Sequence, residues 1–354
     1  MAIFPRRLAT VLAVAGLGLA SACGQGNAVG SSPAAASQAW VDQPVSFPAG
    51  GLTVYATYRH PAAPTGALPA VLLIAGSGPT DRNGNSALLP GPISTLQAVA
   101  GWLSADGVAS LRYDKLGSGQ TGLGPYASRP ATIGLTPFEQ EAAAALRFLA
   151  RQPGVDPTRL GIIGHSEGAL FALLLATGAD PGGSGPGPLP AVRALGLLEP
   201  LSERYLDVLT VQVAAHASSS LTRSFTAAVA ELRAAGTVPP SLPPALSPIL
   251  NPTDGLFLYQ ADRDDPAQLA ARLAPGLPVL LTCSNADLNV TCGEVRHLLP
   301  GLARARAGTD FVMLTGADHV LKQDPSGSAA GSTEPLPFSP QLQQALRTFV
   351  QRHP

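Results

Sequence analysis

Leu160-Gly161-Ile162-Ile163-Gly164-His165-Ser166-Glu167-Gly168-Ala169-Leu170-Phe171 joins two patterns across a sharp break. Leu160 to Gly164 is short, apolar and β-branched, as expected of a strand buried on both faces. Glu167 to Thr177 reads as a helix. The join is Gly164-x-Ser166-x-Gly168. The strand before it and the helix after it are the context that gives such a pentapeptide meaning. The spacing predicts a tight, strained turn that lifts the Ser166 Oγ off the sheet edge. Side chains two residues before or after the serine would clash, hence the glycines. The turn also aims the Glu167 N–H, at a helix N-terminus, into the same space.

Outward from this turn, strands and helices alternate. Val45 to Phe47 and Leu52 to Tyr58, broken at Pro48-Ala49-Gly50-Gly51, read as an antiparallel hairpin. Strands are expected at Ala70–Ala75, Val108–Tyr113, Ala194–Leu198, Pro278–Thr282 and Phe311–Leu314. Helices are expected at Ile93–Asp106, from Thr136 to about Gln152, and at Pro340–Gln351. Thr136-Pro137-Phe138-Glu139 reads as a capping box. This alternation predicts an α/β fold with a mostly parallel, doubly wound sheet. Residues 201 to 273 break the rhythm. They are mainly helical around a proline-rich stretch, Val238–Pro252, and are expected to form an inserted lid over the C-terminal sheet edge. Pro181–Pro188 reads as a flexible loop.

The 354 residues carry 45% apolar and 13% charged side chains and a net charge of −1. That suits a filled core and offers no basic stripe for nucleic acid. Residues 1–23 are a separate object: Arg6-Arg7, an apolar run from Leu8 to Ala20, then Ser21-Ala22-Cys23. The run is too short to span a bilayer and fits a secretory signal. Small residues before Cys23 suggest the lipoprotein type, with a lipid on Cys23 as the sole expected membrane attachment. Cleavage near Ala22 is the alternative. Gly24 to about Trp40 reads as a flexible tether, and residues 41–354 as the folded domain. Two further cysteines, Cys283 and Cys292, can close a small loop in an oxidising compartment, or stay as two unlinked buried thiols. Three cysteines in all give no zinc-type cluster.

A serine hydroxyl needs a base. Of six histidines, His319 is the candidate, because it follows a strand late in the chain, in Ala317-Asp318-His319-Val320. His165 lies inside the turn and should point elsewhere. His60, His216, His297 and His353 fall in the hairpin, the insertion, a helix-like segment and the tail. The base needs an acid. Asp287 follows the strand Pro278–Thr282 and gives the order Ser166, Asp287, His319. Glu199, after the strand Ala194–Leu198, is its competitor. A second backbone donor for an oxyanion is expected at Ser77, with Gly78 as alternative, in the loop after an early strand.

These segments together resemble bacterial α/β-hydrolases of the esterase and serine-aminopeptidase-like group. The stretches that carry the resemblance are Ala75-Gly76-Ser77-Gly78-Pro79-Thr80-Asp81-Arg82-Asn83-Gly84-Asn85, Arg112-Tyr113-Asp114-Lys115, the Ser166 turn, Ala286-Asp287-Leu288-Asn289-Val290, and Ala317-Asp318-His319-Val320-Leu321-Lys322. The resemblance implies an α/β-hydrolase fold, a Ser–His–Asp triad and hydrolysis of small carboxylic esters without metal or organic cofactor. Leu116 and Cys283 depart from the pattern, where Arg and Gly are usual. A peptidase or amidase of the same fold is a second expectation. Glu203, Asp207 and Glu231 are its candidate amine contacts. A non-catalytic lipoprotein on this scaffold is a third.

Overall fold

A computed structural model of the protein describes residues 39–63, 66–180, 188–326 and 331–353. The signal segment with Cys23, nearly all of the tether and most of the Pro181–Pro188 loop lie outside the described residues. One sheet of eight strands runs in the order β1-β2-β4-β3-β5-β6-β7-β8. The strands are β1 (Trp40–Ala49), β2 (Leu52–Pro61), β3 (Leu68–Ile74), β4 (Ala109–Tyr113), β5 (Val155–His165), β6 (Ala194–Leu198), β7 (Pro278–Ser284) and β8 (Gly308–Leu314). Strand β2 pairs antiparallel with both β1 and β4, and every later pair is parallel.

The hairpin is longer than the sequence reading. Pro48 stays within β1, and the turn is only Gly50-Gly51, at φ 53° and 84°. Positive φ at both positions matches a twisted hairpin and needs glycine. Proline is tolerated because β1 is an edge strand, with no strand paired to its outer side among the described residues.

Helices cover both faces. On one side lie α1 (Thr95–Ala105) and α10 (Pro340–Arg352), whose Leu96, Leu103, Leu342 and Phe349 are buried against β3, β5 and β7. On the other lie α2 (Thr136–Ala150) and α3 (Gly168–Ala176). Helix α3 is buried almost all round, which explains its unbroken apolar run. Thr136 opens α2 but makes no cap: Leu135 has already taken helical angles. The expected capping box is replaced by a tertiary contact, Leu135 N–H to Gln260 Oε1.

Between β6 and β7 the chain folds as four helices, α4 (Tyr205–His216), α5 (Ser219–Ala235), α6 (Gly255–Ala261) and α7 (Pro266–Ala270). Asp262 organises this insertion, accepting from Arg204, Arg233 and the Leu206 N–H. Two short helices follow β7, α8 (Cys292–Val295) and α9 (Leu299–Ala305). Because β3 to β8 run parallel, their carboxyl ends share one sheet edge, where open α/β sheets carry their ligand sites.

Candidate active site

Ser77, Ser166, Glu199, Asp287 and His319 each follow the carboxyl end of a strand and lie along that edge. Ser166 sits between β5 and α3 at φ 55°, a left-handed value rare for a residue with a Cβ. The reason for the flanking glycines is measurable. A Cβ on Gly164 would stand 2.3 Å from the Gly168 carbonyl oxygen, and one on Gly168 would stand 2.3 Å from the Ile74 oxygen. Both obstacles are backbone, so neither can step aside.

His319 follows β8. Its Nε2 lies 3.0 Å from Ser166 Oγ, and its Nδ1 lies 2.8 Å from Asp287 Oδ2. Asp287 follows β7, and its other oxygen accepts the Asn289 and Val290 N–H groups at 2.7 and 2.9 Å. Burial would push the Asp287 carboxyl up. The facing imidazole and these N–H donors outweigh it and hold Asp287 below its usual range. An ionised Asp287 takes the Nδ1–H. The Nε2 lone pair is thus left facing the Ser166 hydroxyl, which donates to it. His319 shows the complementary balance: burial lowers it, but the Asp287 charge and hydrogen bond carry it above the ordinary imidazole value.

Glu199 and Asp287 are not alternatives. Asp287 holds the histidine, and Glu199 is fully buried behind it at the end of β6, hydrogen-bonded to Asp287 and to the Ser284 N–H. Burial first, and then the Asp287 charge, drive Glu199 well above the carboxylic range, so it stays protonated beside an ionised neighbour.

His165 points away from Ser166. Burial lowers its pKa to about 4, so it is neutral, and its Nε2–H donates to the His319 carbonyl at 2.7 Å, fixing the loop that carries His319. Among the described residues, neither the Ser77 N–H nor the Glu167 N–H donates a hydrogen bond. Both residues line a cleft of about 350 Å³ that also holds Ser166 and His319. Its remaining walls are largely aliphatic, including Leu88 and Ile93 from the loop before α1, Val208 and Leu209 from α4, and Val290.

Cys283 and Cys292 are joined by a disulfide. It closes the loop in which Asp287 sits. Chain-entropy arguments give so small a ring about 3 kcal/mol. Replacing both cysteines by serine is expected to lower the melting temperature by several degrees, and calorimetry of the oxidised and double-variant proteins checks it.

Lys115 and Tyr205 are the residues beside the site that sequence reasoning passed over. Lys115 had a signal, since it stands inside the Arg112–Lys115 string; the fold leaves it 1% exposed. Tyr205 had none, lying at the start of an insertion with no readable pattern.

No protein-family model matches the sequence, and no curated protein matches it. Solved structures do. Est1E from Butyrivibrio proteoclasticus, solved with ferulic acid bound, is 15% identical with a TM-score of 0.55, over 87% of this chain and 98% of that one. The Pyrococcus furiosus esterase PF2001 is 16% identical with a TM-score of 0.55, over 89% and 91%. A thermostable esterase from Pseudomonas putida is 17% identical with a TM-score of 0.51, over 89% and 83%. The chain has the α/β-hydrolase fold. At these identities the likeness is one of architecture. Within that fold the sharp turn between β5 and α3 and the loops after β3, β7 and β8 converge on one cleft.

Proposed function

We propose that the protein is a serine hydrolase that cleaves small carboxylic esters through an acyl-enzyme. The observation that carries this reading is the unbroken hydrogen-bond relay from Ser166 through His319 to Asp287, set beside two undonated N–H groups in an aliphatic cleft. Ser166 Oγ attacks the acyl carbonyl while His319 Nε2 takes its proton. Asp287 stabilises the imidazolium. The Ser77 and Glu167 N–H groups receive the developing oxyanion. Collapse expels the alcohol, which takes the proton from His319. Water then attacks the acyl carbonyl while His319 takes its proton; collapse breaks the bond to Ser166 Oγ, which regains the proton from His319, and the acid leaves. The insertion α4–α7 acts as the lid that shapes the pocket.

Esters are favoured over peptides by the charges at the cleft. Among the described residues, Glu167 is the one carboxylate that lines it, and Lys115 and Tyr205 occupy both of its oxygens. Glu203 pairs with His297 and Asp207 with Arg233, and neither they nor Glu231 line the cleft. A substrate ammonium group thus finds no waiting partner there. A merely structural role is disfavoured because a strained serine, a tautomer-fixing acid and open N–H donors serve no packing purpose.

The signal-like segment supports export, with lipidation at Cys23 as the attachment. The Cys283–Cys292 bridge is the kind of bond that persists in oxidising compartments. Incubation with a fluorophosphonate probe is expected to leave a single adduct on Ser166 by peptide mass spectrometry and to abolish hydrolysis of p-nitrophenyl acetate. An unlabelled wild-type protein with no turnover would sink the reading.

A further inference from the structure

Behind the cleft wall lies a buried ion pair that the relay does not use. The Lys115 ammonium, in the loop after β4, donates to Glu167 Oε1 at 2.7 Å and to the Gly76 carbonyl oxygen. Both side chains are almost entirely withdrawn from solvent, at 2% and 5% exposed. Tyr205, from the first turn of α4, donates to Glu167 Oε2 at 2.6 Å and hydrogen-bonds the Ser77 hydroxyl. Burial, and then the Glu167 charge, hold the Tyr205 phenol well above its ordinary value, so it remains a donor. Glu141, the other carboxyl packed near Lys115, is pushed up to about 8, chiefly by burial, and leaves Glu167 as the charge partner.

Resting on the hydrolase reading above, we propose that Lys115 is a positioning residue that fixes both oxyanion donors at once. The Gly76 carbonyl and the Ser77 N–H belong to one amide, and the described chain has no cis peptide bond. In a trans amide the C=O and N–H point in opposite directions. Lys115 lies outside the cleft lining and grips the oxygen, so the N–H faces the cleft. Gly76 and Gly78 flank Ser77, and Gly78 sits at φ 76°. Such backbone turns easily about this amide. The ammonium removes that freedom and, by polarising the carbonyl, strengthens the opposite N–H as a donor. The same ammonium holds the side chain of Glu167, whose own N–H is the second donor. A buried ion pair contributes little net stability compared with apolar packing. Its two contacts on the two donor segments give this one a different purpose.

The test is Lys115→Met, with Lys115→Met/Glu167→Gln as its companion. The double variant keeps the Glu167 main-chain N–H and removes the carboxylate left unpaired. Turnover of p-nitrophenyl acetate is followed together with inhibition by a methyl trifluoromethyl ketone, which becomes a tetrahedral adduct on Ser166. A donor displaced by about an ångström costs on the order of 100-fold in rate. The clamp predicts a kcat about 100-fold lower in both variants, KM changed by less than about 3-fold, and ketone affinity reduced by the same factor as kcat/KM. The double variant recovers wild-type melting temperature and stays slow. If Lys115→Met is too unstable to measure, the double variant alone decides. Wild-type kcat in either variant overturns the clamp, as does a loss confined to KM. A wild-type protein inert to esters and to the fluorophosphonate overturns the hydrolase reading and the clamp with it. Ester turnover that Ser166→Ala abolishes but Lys115→Met spares removes the clamp alone.

Discussion

Alanine at Ser166 is expected to lower kcat for p-nitrophenyl acetate by about five to six orders of magnitude, the usual cost of removing a relay nucleophile. The fold should not change. Alanine keeps the Cβ that the strained φ of 55° already accommodates, and loses only the Oγ held by His319. His319→Ala should cost nearly as much, because without a base the hydroxyl is a poor nucleophile at neutral pH. The double variant should be no slower than either single one, since the groups act as a unit. Residual turnover above the buffer rate then measures what the two N–H donors contribute alone. Matching melting curves separate lost chemistry from lost structure. Retention of a tenth of wild-type kcat in Ser166→Ala would refute its role as nucleophile.

Asp287→Asn is expected to be the next most damaging change, at about 10⁴-fold in kcat. An asparagine can present its amide to Nδ1 and stabilise the wrong tautomer, so Nε2 carries the hydrogen and cannot receive the Ser166 proton. The pH profile gives a second readout. The base must be neutral to act, so kcat/KM rises as pH passes upward through the His319 pKa. Burial lowers that pKa, and the Asp287 charge more than reverses it. The wild-type limb therefore falls above the ordinary imidazole value of about 6.5. Removing the charge leaves burial opposed by the lesser pull of Asp318 and moves the limb to lower pH. A limb that stays in place would show that Asp287 does not set the base. Initial rates from pH 5 to 9 decide it.

The parts of this molecule readable from sequence were those with a local signature. Ile162-Ile163 and Val71-Leu72-Leu73-Ile74 are central parallel strands, buried on both faces, and announce themselves as continuous apolar runs. Gly164 is legible because its constraint is steric and lies within five residues of chain, whereas the obstacle to a side chain at Gly168 is the distant Ile74 carbonyl and only the spacing of the turn points to it. Pro48 misled because proline marks a break only where its missing N–H matters, and on an edge strand it does not. The Thr136 cap failed because Gln260, far away in the chain, supplies an acceptor that local reasoning has no means to see. Glu199 and Asp287 were set against each other as rivals for one role, yet three-dimensional packing gives them adjacent ones, an ionised acid with a protonated neighbour. Lys115, Glu167 and Tyr205 come from three separate segments, and an ion pair assembled that way leaves no periodic trace.

The position of Tyr205 bears on how such a protein could change its diet. The insertion between β6 and β7 contributes no strand to the sheet, so a replacement there would leave the strand order intact. Here, however, its first helical residue reaches down to Glu167, the neighbour of Ser166. On the hydrolase reading proposed above, recognition and rate are thereby soldered at one hydroxyl. A grafted insertion that lacks a donor at that point would bring a new pocket and a slackened Glu167 together. The reachable variants are those that remodel α4 from Val208 onward and leave its first turn untouched.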